Sequence, residues 1–278
     1  MAMEGKFGFN LVDPALYAEH GYPHDTWTKL RAEEPVFRWT ETDGMPFWAV
    51  TKHADITEIS KQPDIFLNGP RLTISHLPEE PPNDMFPKTL IQMDNPRHRD
   101  FRRMISSRFT PRALKRIHEP IEEIGKEIVD ALIVDKEEGE VDFVKEVSAP
   151  LPIAVIGWLL GLPKEDWPLL FDWTNKIIGA SDPDFQQEGV DVIEGARSTM
   201  VELFTYFTKL VEEKRKNPDD GLVSLFTQLE YQGKPLDPMD VLAWCLIIVI
   251  AGNETTRNGT SGGMLAFVEN PSEIWKLQ

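Results

Sequence analysis

The 278-residue chain has one cysteine, Cys245, so it can form no internal disulfide, and this suits a reducing, cytoplasmic setting. No histidine follows His118, and no Cys/His cluster has zinc-ligand spacing, so no metal site is expected from the chain's own side chains. Basic residues are scarce: 29 Lys and Arg against 46 Asp and Glu give a formal charge of −17. That balance argues against nucleic acid as the general partner. The longest apolar run, Val241–Gly252, is 12 residues, short of the roughly 20 that a spanning helix needs. Met1–Lys6 has no apolar signal core. What remains, 41% apolar and 27% charged, is the composition of a globular protein.

The scarce positive charge is unevenly spread. Between Arg97 and Arg116 stand eight Lys and Arg and one acid, Asp100. This window carries +7 and leaves −24 elsewhere. It reads either as a solvated helix face or as a docking surface for an anionic ligand or partner.

The chain reads as mostly helix with a small β portion. Asp25–Arg31 is predicted to be a short helix, and residues 36–39 and 47–50 a hairpin around Asp43-Gly44. Ala54–Lys61 looks helical, and the proline-rich residues 68–90 read as a long loop of the kind that carries function. Beyond it, Asn95 is a candidate N-cap with Pro96 at the first helical position. Thr110-Pro111 opens a helix running to about Asp135, and Phe143–Leu160 is a helical segment interrupted at Pro150 and Pro152. Lys164–Ile178, Glu188–Lys216 and Gly221–Glu230 follow as helices. The last helix, Asp240–Val268, starts after Asp237-Pro238 and stops at Asn270-Pro271. Its Leu246–Ile250 stretch favours strand, but 29 proline-free residues are too many for one strand. Four glycines in it (252, 259, 262, 263) each cost about 1 kcal/mol relative to alanine, which calls for tight packing or a ligand against the backbone.

Two clusters carry candidate chemistry. In the last helix Gly252, Thr255, Thr256 and Gly259 recur at i, i+3, i+4 and i+7 and share a face. There a flat group could approach the glycine backbone, Thr255 could donate and accept a hydrogen bond, and Glu254 could relay a proton. The plainer reading is a kinked helix in which a threonine bonds back to a carbonyl and a glutamate faces solvent. In the basic window His98 and Arg102 lie at i and i+4, two donors near a helix N-terminus that suit an anion.

The string Ala251-Gly252-Asn253-Glu254-Thr255-Thr256 resembles the distal-helix signature of the cytochrome P-450 family, the haem-thiolate monooxygenases. Asn95-Pro96-Arg97-His98-Arg99-Asp100-Phe101-Arg102 and Phe109-Thr110-Pro111-Arg112 resemble a second pattern of its bacterial members. The resemblance covers nearly the whole chain. It implies a cytochrome P-450-like fold and a single partial domain over residues 1–278. It also implies haem b, with Ala251 and Gly252 flanking the oxygen side, Glu254 and Thr255 handling protons, and His98 and Arg102 holding propionates. Ile247 and Ile250 become candidate substrate contacts, together with the 68–90 loop. The chemistry implied is insertion of one atom of dioxygen into a C–H bond, with electrons from a ferredoxin-type donor on the Arg97–Arg116 face. Residues Gly252–Asn258 resemble bacterial sterol side-chain hydroxylases, which points to a bulky apolar substrate such as a sterol or terpenoid.

One departure stands out. The family's Glu-x-x-Arg motif and its haem-ligating cysteine loop follow the distal helix, and neither occurs in Ser272–Gln278. Cys245 lies seven residues before Gly252, about 10.5 Å along the same face, and reads as a buried small hydrophobe on the oxygen side. The chain therefore looks truncated after the distal helix. By itself it is expected neither to form the thiolate–iron bond nor to turn over substrate. The alternative is a non-catalytic helical fragment or binding module lacking the haem-ligand half. Gly259-Thr260-Ser261-Gly262-Gly263 fits a Gly-x-Ser-x-Gly nucleophile elbow, but no histidine follows to complete a hydrolase triad. Two Asn-x-Thr sequons in the last helix lack a secretory signal to support them.

Overall fold

A computed structural model describes residues 10–40, 46–69, 87–133, 139–179 and 190–276. The chain divides into two compact units, Met1–Phe101 and Arg102–Gln278, with the division inside one helix.

In the first unit α1 (Pro14–His20) and α2 (His24–Glu33) precede an antiparallel pair, β1 (Val36–Trp39) and β2 (Phe47–Val50), and then α3 (His53–Ser60). Asp13 caps α1 by accepting from the Ala15 amide. The predicted hairpin forms in the register Val36↔Val50 to Trp39↔Phe47. Buried Trp39 stacks on Phe47 with ring centroids 6.2 Å apart. The turn at Asp43-Gly44 lies outside the described residues, as does most of the 68–90 loop. Of that loop, Asn68 and Gly69 donate backbone N–H to the two oxygens of Asp94 (2.7 and 3.2 Å). The unit runs into α4 (Arg97–Ile105). The helix starts at Arg97, and Asn95 and Pro96 stand in a turn ahead of it, one residue before the predicted start.

The second unit is helical: α5 (Pro111–Ile133), α6 (Pro150–Leu160), α7 (Trp167–Ile178), α8 (Val192–Lys216), α9 (Leu222–Phe226) and α10 (Pro238–Glu269). The Phe143–Leu160 segment is interrupted at Ala149, just ahead of Pro150, whereas Pro152 interrupts nothing. Residues Val144–Ser148 form a π-helical turn, and the prolines open α6 within its first turn, where a missing N–H costs nothing. The helix predicted over Gly221–Glu230 ends at Phe226, and a small hairpin follows, β3 (Glu230–Tyr231) with β4 (Lys234–Pro235). Its turn uses Gln232 and Gly233 at φ 53° and 75°.

The axis of the unit is α10. Asp237 accepts from the Met239 amide at 2.8 Å with Pro238 at the first position, as the sequence predicts. By length and composition α10 could cross a membrane. Val241–Ile247 and Val249 are instead buried by protein, with α6, α7, α8 and α9 packed around the helix. The burial of that apolar half offsets the glycine cost further along.

Candidate active site on the central helix

Where the apolar half of α10 ends, its faces diverge. Asn253 and Arg257 point into the unit and are buried, Arg257 at 7% exposure. Ala251, Thr255 and Gly259, at i, i+4 and i+8, form an exposed row of small residues. A Cβ added to Gly259 would meet nothing within 4 Å.

Gly252 belongs to neither face. A Cβ there would come within 2.9 Å of Ile156 Cδ1, so its bare backbone admits α6, not an open approach. Gly252 itself is half-exposed. The open surface lies one residue back, at Ala251. Thr255 Oγ1 donates to the Ala251 carbonyl at 2.6 Å, the back-bond that the plainer reading anticipates. The hydroxyl oxygen keeps acceptor capacity toward the open side.

Glu254 follows a different direction from Thr255, since neighbouring helix positions lie about 100° apart. Its carboxylate accepts from Arg257 Nη2 at 3.4 Å, with the Glu254 side chain at 24% exposure. Arg257 Nη1 donates to Asn175 Oδ1 of α7 at 2.8 Å, and its guanidinium lies 5.7 Å from the Phe171 ring centroid. The expected acid–alcohol pair is thus present in sequence but not bonded to each other. Arg257 and Asn175 were not singled out in the sequence. The Glu254–Arg257 spacing of i and i+3 was legible there, but the 82-residue reach to Asn175 carries no local signal.

The remaining candidates are distributed as follows. Ile247 is buried and Ile250 half-buried. Cys245 is wholly buried, and that burial pushes its thiol above the ordinary range, consistent with a small hydrophobe. Ser261 sits inside α10 with its Oγ 2.7 Å from Ser148 Oγ, so the elbow pattern is part of a helix. On α4, His98 is half-buried and Arg102 exposed, and among the described residues neither side chain has a hydrogen bond or ion pair. Arg102 stands in the last turn of the nine-residue helix, so the N-terminal amides can assist His98 alone. Of the eight basic residues in the window, Arg99, Arg102, Arg103, Arg112, Lys115 and Arg116 are exposed, while Arg97 lies over the Phe101 ring at 4.5 Å. Among the described residues no group of three or more His, Cys, Asp or Glu side chains is placed to hold a metal ion.

No family model matches the chain. Its similarity to individual proteins is extensive. The steroid C26-monooxygenase of Mycobacterium bovis is 36% identical over 283 residues, covering 97% of this chain and 62% of that protein. A methyl-branched lipid omega-hydroxylase of Mycobacterium tuberculosis is 32% identical, covering 88% and 57%. Among solved structures, a Mycobacterium marinum cytochrome P450 in complex with pseudoionone superposes with a TM-score of 0.83 at 29% identity, covering 97% and 67%. The mainly helical fold with two small sheets is that of this class. The chain belongs to the bacterial cytochrome P450 family and corresponds to its N-terminal portion. It spans about 62% of the length of the steroid-oxidising relatives it matches.

Proposed function

We propose that this chain is the oxygen-side portion of a cytoplasmic, haem-dependent monooxygenase that hydroxylates an apolar substrate of the sterol or branched-lipid kind. The observation that carries the reading is the open row Ala251, Thr255 and Gly259, with the Thr255 hydroxyl at its centre. A row of small side chains fits a flat tetrapyrrole. The donors His98 and Arg102, which have no hydrogen bond or ion pair among the described residues, fit carboxylates such as propionates. Cys245, the single cysteine, is wholly buried within α10, where burial pushes its thiol up, and it is read as a small hydrophobe and not as the iron ligand. When bound, the haem supplies activation of dioxygen for insertion of one oxygen atom into a C–H bond.

The chain's own residues supply the rest. Ala251 keeps the surface flat, and Thr255 holds a proton at Oγ1 and can pass it on. Glu254, part-exposed, exchanges protons with solvent. Ile247 and Ile250 contribute apolar surface on the same helix for substrate. The substrate class rests on the relatives' names, steroid C26-monooxygenase and methyl-branched lipid omega-hydroxylase. The exposed arginines of the 97–116 window suit an acidic, ferredoxin-type electron donor, whose association weakens as salt rises.

The test is a protein carrying this chain at the full length of its relatives, purified with haem, reduced and exposed to carbon monoxide. A thiolate-type Soret band is expected. Thr255→Ala in that protein is expected to raise peroxide release per electron consumed. A wild type without the band, binding haem in no defined way, would support a non-catalytic helical module instead.

A further inference from the structure

We propose that Arg257 is a positioning residue for Glu254, and that α7, through Asn175, sets where the Glu254 carboxylate stands. The inference rests on the functional reading of Glu254 given above and extends it to residues outside the family signature.

A guanidinium at 7% exposure cannot shed its charge, so it must be compensated where it is. Its two polar partners among the described residues are unequal. The bond to Asn175 Oδ1, at 2.8 Å, is short, and Asn175 is itself 6% exposed. The contact with Glu254 Oε1, at 3.4 Å, is longer than a charge-assisted bond of about 2.8 Å. The guanidinium is therefore anchored to α7 and holds the carboxylate more loosely. Phe171, also on α7, lies against its other side. While Arg257 holds Glu254, the acid does not bond Thr255, whose hydroxyl rests on Ala251. Glu254 can meanwhile reach water through its exposed quarter. The carboxylate can leave Arg257 without unseating it, because Asn175 remains. The position of α7 thus sets where the proton-exchanging acid stands relative to solvent and to the Thr255 hydroxyl.

The test uses the full-length, haem-loaded protein with Arg257→Gln, Arg257→Lys and Asn175→Leu, each alone and combined with Glu254→Gln. Arg257→Gln is expected to lower kcat on the order of tenfold with KM little changed, and Arg257→Lys to recover most of it. In the Glu254→Gln background Arg257→Gln should add less than about a twofold change, since it acts through the missing carboxylate. A crystal structure of Arg257→Gln should show the Glu254 carboxylate away from its place beside residue 257. Effects that multiply independently in the two backgrounds, or a Glu254 carboxylate unmoved in Arg257→Gln, overturn the proposal. A wild type with no thiolate-type band overturns the functional reading, and this inference with it.

Discussion

Gly157→Ala offers a test of how closely the second unit is packed. Gly157 is buried on α6, and a Cβ there would overlap the Cγ, Cδ1 and Nε1 atoms of the Trp167 indole. The ring cannot simply swing aside, because Nε1 donates to the Leu162 carbonyl at 3.2 Å. Alanine gains about 1 kcal/mol of helix propensity over glycine. Against this stand roughly 1–3 kcal/mol of overpacking and about 1 kcal/mol for the lost indole bond. The net expectation is a loss of about 2 kcal/mol. Gly262→Ala on α10 is the control: a Cβ there meets nothing within 4 Å, so the propensity gain of about 1 kcal/mol stands alone. Urea unfolding followed by tryptophan fluorescence should separate the two variants by about 3 kcal/mol, in opposite directions from wild type. A Gly157→Ala protein as stable as wild type would refute the reasoning.

Two further outcomes follow from local chemistry. Asp237→Ala removes the oxygen that accepts from the Met239 amide and should cost about 1 kcal/mol in the same unfolding assay. Cys245 should resist thiol reagents in the folded protein and react once it is unfolded. Because its folded pKa is raised, the stability linked to it is complete below the unfolded value of about 8.5 and declines as pH rises beyond that. Cys245→Ala should flatten that alkaline decline.

Much of the fold was legible where local chemistry decides. Asp237-Pro238 and Asn270-Pro271 bound α10, and the pairing of residues 36–39 with 47–50 follows from alternation and a turn. Reading failed where context decides. Pro152 reads as a breaker but stands in the first turn of α6, because the break falls wholly at Ala149, after a π-helical turn. The strands at Glu230–Tyr231 and Lys234–Pro235 are two residues each, too short for a period to show. In the candidate site, the signature string falls on one continuous stretch of α10. It did not tell which neighbour each residue meets. Gly252 turns to Ile156 on α6, and Glu254 is drawn to an arginine anchored on α7, because tertiary packing fixes those directions.

The central claim is that the exposed Ala251–Thr255 face of α10 forms the oxygen-side wall of a haem site. Ala251→Phe in the full-length, haem-loaded protein tests it most directly, because residue 251 is exposed and the larger ring can be carried without disturbing the core. The account predicts that circular dichroism stays unchanged while carbon monoxide binding to the reduced protein weakens by at least about tenfold, the bulk standing where a diatomic ligand must enter. Carbon monoxide affinity and Soret band indistinguishable from wild type would contradict it.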